Sequence, residues 1–198
     1  TSINNTTIIN THVPEVLDIT GKKVWKDNNN QDGIRPNEII VELYANGEKV
    51  DTITVTSENE WKYEFKGVPK YKEGKEINYM VKENAVEGYE TTISGTTITN
   101  THIPEVLDIT GKKVWKDNNN QDGLRPVSII VELYADGEKV SEITTDEASG
   151  WLYKFKDVPK YKEGKEIVYT VTEKNVEGYT TTISGTTITN THIPEVLD

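Results

Sequence analysis

The chain has 198 residues, with 22 Lys and Arg against 33 Asp and Glu, a formal net charge of −11 and no cysteine. The acidic balance, with acids interleaved in every Lys/Arg cluster, excludes a nucleic-acid-binding protein, which needs a basic face against phosphate. The missing cysteines exclude a disulfide framework, and no segment approaches the roughly 20 apolar residues of a membrane span.

Strand signals dominate from the start. Val, Ile, Thr and Tyr alternate with polar residues in short runs bounded by Gly, Pro, Asn or Asp. Taken in chain order, strands are expected at 18–25, 38–45, 49–55, 61–67, 76–83, 89–93 and 96–100, with a single helical turn possible at 70–76. Asn46-Gly47 suits a tight hairpin between the second and third strands, because both residues tolerate positive φ. Beyond residue 100 the pattern starts again. Shifting the sequence by 90 places lays 11–100 onto 101–190 with 68 of 90 positions identical, Asp136-Gly137 standing for Asn46-Gly47. The units differ most at 51–60 against 141–150, read as an exposed edge strand and loop.

The expected fold is all-β: two tandem small β-sandwich domains joined by a short stiff linker. Residues 1–17 read as the tail of a preceding unit and a linker, 18–103 as the first repeat, and 104–198 as the second repeat with the start of the next linker. The piece reads as cut from a longer array, so any secretion or anchoring signal is expected outside it. The linker at 101–108 contains proline and no glycine, which argues for stiffness over a flexible tether. Repeated units with stiff joints suit a stalk that extends something from a surface, whereas a catalytic protein usually invests in one deep pocket.

The alternation also exposes an anomaly. Along 18–25, Ile19, Gly21, Lys23 and Trp25 share one face, so Lys23 points inward if the apolar members mark the core. The same test groups Glu83 with Tyr79 and Val81, and Asn100 with Ile98. The second unit repeats all three as Lys113, Glu173 and Asn190. Two readings stand side by side. One is a buried ion pair with a hydrogen-bonded amide. The other is chemical: desolvation lowers the pKa of a lysine and makes its amine a nucleophile, while a carboxyl in an apolar site can stay protonated and polarise the asparagine carbonyl. The product would be a Lys–Asn isopeptide bond with loss of ammonia.

These residues lie among motifs that carry a resemblance: GKKVWKDNNNQDGIRP, VELYANGEKV, YMVKENAVEGYETT and ITNTH, in order and in both units. Each unit resembles the B-type repeat of the collagen adhesin (Cna protein B-type domain) family of Gram-positive surface proteins, which implies that the sandwich is of the inverse immunoglobulin-like kind. The resemblance implies an intramolecular isopeptide bond between a first-strand lysine and a last-strand asparagine, assisted by an acid. On this chain that means Lys23–Asn100 with Glu83, and Lys113–Asn190 with Glu173. Asn10 occupies the asparagine position of a unit missing upstream and is expected to be unreacted. The resemblance also implies an extracellular, cell-wall-anchored, monomeric stalk whose partners are neighbouring repeats, host matrix being bound through other regions. No cofactor is expected, and no enzyme activity beyond a self-directed, single-turnover reaction. The alternative is that the repeats themselves bind a host matrix protein or glycan.

Other signals carry less. Asn28, Asn30 and Asp32, with Asn118, Asn120 and Asp122, match the opening of a calcium loop, but Ile39 stands where the bidentate glutamate belongs and Pro36 disturbs any following helix. A polar turn is the better reading. His12, His102 and His192 recur once per junction with no second ligand nearby. Ser94 and Ser184 sit in Ile-Ser-Gly-Thr turns, unlike a nucleophile elbow. Trp25, Trp61, Trp115 and Trp151 fit sheet packing better than an aromatic binding surface.

Overall fold

The computed structural model describes residues 2–4 and 7–195; Thr1, Asn5, Thr6 and residues 196–198, the outermost parts of the predicted head and tail segments, lie outside the described residues. A short hairpin, β1 (Ser2–Asn4) with β2 (Thr7–Ile9), comes first. The chain forms two compact units, the first, which includes this hairpin, running mainly to Ile103 and the second consisting mainly of residues from Pro104 onward, and each has its own buried core.

In the first unit the chain runs through β3 (Val16–Lys26), β4 (Glu38–Ala45), β5 (Glu48–Thr56), β6 (Lys62–Pro69), β7 (Tyr71–Lys72), β8 (Lys75–Glu76), β9 (Tyr79–Glu83), β10 (Glu90–Ser94) and β11 (Thr97–Thr101). One sheet has the order β10-β11-β3-β6 and the other β5-β4-β9. Alternation sets which side chains meet between them. Ile39, Val41 and Leu43 of β4 face Ile19, Tyr63, Phe65 and Ile98 of the four-stranded sheet, with Val55 and Val81 completing the buried core. Every pairing is antiparallel except one: the first strand, β3, lies parallel to the last, β11. That contact joins segments more than 70 residues apart and closes the unit.

The second unit repeats the plan with β12 (Val106–Lys116), β13 (Ser128–Ala135), β14 (Glu138–Asp146), β15 (Leu152–Pro159), β16 (Tyr161–Lys162), β17 (Lys165–Glu166), β18 (Tyr169–Glu173), β19 (Thr180–Ser184) and β20 (Thr187–Thr191). Its sheets are β19-β20-β12-β15 and β14-β13-β18, with β12 and β20 parallel. Where the first unit buries Val55, the second buries Thr145. Its hydroxyl donates to the Leu152 carbonyl at 2.8 Å, which satisfies a polar group that the core would otherwise penalise.

Asn46-Gly47 and Asp136-Gly137 make the expected tight turns, all four residues at positive φ. The stretch 51–60 does form part of an edge strand, β5, followed by a one-turn 3-10 helix over Ser57–Asn59. Two expectations are corrected. Residues 70–76 form no helical turn but a small hairpin, β7–β8, because Glu73 and Gly74 take positive φ (53° and 78°) and reverse the chain in two residues. The strand expected over 76–83 is consequently split, its first residue pairing with β7 and its remainder, β9, with β4.

Candidate functional site: a buried Lys–Glu–Asn cluster in each unit

The inward-facing polar residues converge. Lys23 points off β3 into the space between the sheets, and Glu83 enters the same space from β9 of the opposite sheet, beside Val41. Lys23 Nζ donates to Glu83 Oε1 at 2.6 Å, with both side chains at 0 % exposure. In the second unit Lys113 and Glu173 repeat the pair at 2.5 Å, again fully buried. Removing two charges from water costs several kcal/mol per ion, so the pair is held at considerable expense to the fold. Burial draws the pKa of both lysines below the ordinary value, against the hydrogen bond and charge of the glutamate, which act in the opposite direction.

Asn100 is brought to this pair by the parallel contact. In the β3/β11 register Lys23 stands opposite Ile98 and Trp25 opposite Asn100, so Lys23 and Asn100 are diagonal neighbours on one face. Diagonal neighbours are about 7–8 Å apart at the backbone, within reach of a long side chain. Asn100 is completely buried, and its Nδ2 has no hydrogen-bond partner. Its Oδ1 accepts from Thr91 Oγ1 at 2.7 Å, Thr91 being its direct cross-strand partner on β10. The same hydroxyl lies 3.2 Å from Glu83 Oε2. In the second unit Asn190 Nδ2 is likewise unpartnered, with Thr181 Oγ1 2.8 Å from Asn190 Oδ1 and 3.1 Å from Glu173 Oε2.

Aromatic rings wall the cluster off. Lys23 Nζ lies 4.5 Å from the centre of the Trp25 ring, which packs edge-on against Trp61 and Tyr89 at 5.2 and 5.0 Å. Such packing accounts for the tryptophans as structural walls. On the other flank Tyr63 lies over Gly21 and donates to the Thr96 carbonyl at 2.5 Å. A Cβ at Gly21 would stand 2.2 Å from the Tyr63 ring, so glycine is what lets the ring close down. Burial, and secondarily the charge of Glu83, push the Tyr63 hydroxyl up to about 12.

Periodicity identified Lys23, Glu83 and Asn100 and put Gly21 on the same face without a role for it, but missed Thr91 and Tyr63. Thr91 lies on an exposed strand, and only the β10/β11 register places its hydroxyl at the amide. Sequence reasoning also missed Asp27. It is buried at the end of β3 and accepts from Arg35 Nε and Nη2 at 2.9 and 2.5 Å and from Tyr89 Oη at 2.8 Å. Burial alone would raise its carboxyl, but Arg35, the Asn30 amide and Tyr89 together bring it below the usual range. In the equivalent position Arg125 is the foremost cause that holds Asp117 at about 2.

This network shapes the Asn-rich loop. Asn28, Asn29 and Asn30 all take positive φ (48°, 58° and 60°), a region asparagine tolerates better than most residues. Asn30 Oδ1 accepts from the Arg35 amide at 2.9 Å. Together these features shape the segment as a polar turn. Among the described residues no group of three or more His, Cys, Asp or Glu side chains is arranged to hold a metal. His192 sits on Tyr179, its Nδ1 2.8 Å from the Gly178 carbonyl and its Nε2 2.9 Å from Asp122 Oδ2. His102 likewise contacts Tyr89 and the Gly88 carbonyl. Ser94 and Ser184 end the strands of exposed hairpins, opposite Thr97 and Thr187. Among the described residues no helix is long and apolar enough to cross a membrane.

Comparison with known proteins gives consistent matches. The family model described as the Cna protein B-type domain matches residues 19–101 and again 109–191. A collagen adhesin of Staphylococcus aureus is 37 % identical over 97 % of this chain, which spans only 24 % of that relative's length. The crystal structure of two B repeat units of the collagen binding protein of S. aureus superposes with a TM-score of 0.87 at 44 % identity, over 98 % of this chain and 54 % of the other. A single B repeat unit of that protein is 46 % identical, with a TM-score of 0.45, over 91 % of this chain and all of its own.

Proposed function

This chain belongs to the Cna protein B-type domain family, and from that premise we propose that its two units are stalk repeats of a cell-wall-anchored surface adhesin, each closed by an autocatalytic Lys–Asn isopeptide bond. The family is a structural one. The observation that carries the bond is the buried Lys23–Glu83 pair beside an Asn100 whose Nδ2 has no hydrogen-bond partner. As an amide donor that nitrogen is a liability; as a leaving group it is free to depart.

The chemistry balances within the cluster. Transfer of one proton from Lys23 to Glu83 across 2.6 Å turns a buried ion pair into two neutral groups, the amine being a nucleophile. Its lone pair forms a bond to Asn100 Cγ. Glu83 accepts a proton from the attacking nitrogen and supplies one to Nδ2, which leaves as ammonia. The site ends with a neutral amide and a protonated Glu83, so the desolvation cost of two buried charges is relieved. Fixed proximity replaces a bimolecular encounter, an advantage that can reach effective molarities of about 10⁵ M or more. Lys113, Glu173 and Asn190 are assigned the same roles.

The location of the bond suits tension. The first and last strands of a unit lie parallel, so force applied at its two ends shears β3 along β11. A covalent bridge between those strands carries that load and leaves most of the sandwich outside the force path. On this reading the protein lies outside the cell and holds a ligand-binding region away from its surface. The test is intact mass under denaturing conditions. The expected result is a deficit of two ammonia molecules, with tryptic peptides joining Lys23 to Asn100 and Lys113 to Asn190. A mass equal to the sequence would refute the cross-link.

A further inference from the structure

Thr91 and Thr181 occupy a position that the Lys–Glu–Asn chemistry alone does not explain. Each hydroxyl faces two acceptors: Asn100 Oδ1 at 2.7 Å and Glu83 Oε2 at 3.2 Å in the first unit, Asn190 Oδ1 at 2.8 Å and Glu173 Oε2 at 3.1 Å in the second. A hydroxyl has one proton to donate and two lone pairs to accept with. While the glutamate is ionised, only one of those acceptors can be served. Once the glutamate has taken the lysine proton on Oε1, a half-turn of its carboxyl about Cγ–Cδ brings the protonated oxygen to the threonine and the conflict disappears: glutamic acid donates to Thr Oγ1, and Thr Oγ1 donates to the asparagine Oδ1. The chain of donors is complete only in the protonation state in which the lysine amine is neutral.

We propose that Thr91 and Thr181 are catalytic hydrogen-bond donors that couple protonation of the glutamate to polarisation of the asparagine carbonyl. This rests on the isopeptide reading above. As Lys23 Nζ bonds to Cγ, negative charge develops on Asn100 Oδ1, and the Thr91 proton is already aimed at that atom. When ammonia departs the carbonyl reforms and the threonine keeps its proton, so the residue is unchanged over the reaction. Thr91 is placed for this by backbone pairing, directly opposite Asn100, and its β10 neighbours are exposed. The role is therefore carried by the hydroxyl and not by core packing. Removing one such donor from a developing oxyanion typically slows reaction by about 10²–10³-fold.

The experiment uses the full chain, with the second unit as an internal control. Thr91→Val, Thr91→Ala and Thr91→Ser are purified promptly after expression, and intact mass and cross-linked peptides are followed over time, with near-ultraviolet circular dichroism reporting the fold. Thr91→Val is expected to form the Lys113–Asn190 bond promptly and the Lys23–Asn100 bond about 10²-fold more slowly, with Thr91→Ser restoring the rate. Thr91→Ala removes the same hydroxyl and replaces valine as the deciding variant if valine disturbs the strand. Formation of the first bond at the unmodified rate in a folded chain lacking the hydroxyl would overturn the proposal. So would a serine variant as slow as valine. An unmodified chain with no ammonia deficit would instead overturn the isopeptide reading itself, which separates the two failures.

Discussion

Replacing Asn100 by alanine removes the electrophile while leaving the buried Lys23–Glu83 pair in place. The lost cross-link would have closed a loop of about 77 residues, which the chain-entropy relation for a covalent bridge values at about 4.5 kcal/mol. Loss of the Thr91–Asn100 hydrogen bond adds about 1 kcal/mol. Near the midpoint, 1 kcal/mol shifts the melting temperature of a domain of this size by roughly 4–8 °C, so the first unit should melt more than about 20 °C lower than in the parent chain. Scanning calorimetry of the Asn100→Ala chain should resolve a low transition for the first unit and leave the second unchanged. Intact mass should show one ammonia deficit instead of two. If the parent chain carries both deficits and Asn100→Ala still melts within a few degrees of it, the entropic account of the bond is wrong.

Gly21→Ala should destabilise the first unit by about 1–3 kcal/mol in urea titrations, because the added methyl meets both the Tyr63 ring and the Thr96 carbonyl and one must move. Asp117 is held at about 2, below its ordinary 3.8, so its stabilising contribution is complete above about pH 4 and lost as pH falls toward 2. Asp117→Asn should therefore lower stability at neutral pH and flatten its loss in acid, read by fluorescence of the tryptophans during acid titration. His192 is shifted the other way, upward from 6.5, first by the hydrogen bond to Asp122 and then by the Gly178 carbonyl. Its contribution is present below the unfolded value and lost as pH rises through the folded one. In an NMR titration His192 should titrate above an ordinary histidine, and Asp122→Asn should bring it down. Solid-phase assays of the isolated chain against matrix proteins should give no saturable signal if the repeats serve as a stalk.

The residues that form the cluster were legible because a β-strand has a period of two. Ile19 and Trp25 mark a face, and a lysine at the same parity must lie on it. The same argument places Glu83 with Val81 and Asn100 with Ile98. Asn46-Gly47 was legible because a two-residue turn is a local event. The hairpin at 71–76 was not, because Glu73 at positive φ is an uncommon choice that propensity does not announce. Asp27 went unnoticed for a different reason: of its partners, Arg35 lies in the loop that follows the strand but Tyr89 is 62 residues away, and nothing in the first strand points to either.

Thus the amino-acid sequence by itself determined the strand content, the duplication and the inward direction of Lys23, Glu83 and Asn100, all consequences of short-range geometry repeated along a chain. Only the tertiary structure decided that the first strand lies parallel to the last, that Glu83 reaches its lysine from the opposite sheet, and that Thr91 stands across from Asn100. Those placements depend on which strands pair and in what register. Pairing is settled by burial of the whole core between two sheets, a free energy to which residues far apart in the chain contribute at once.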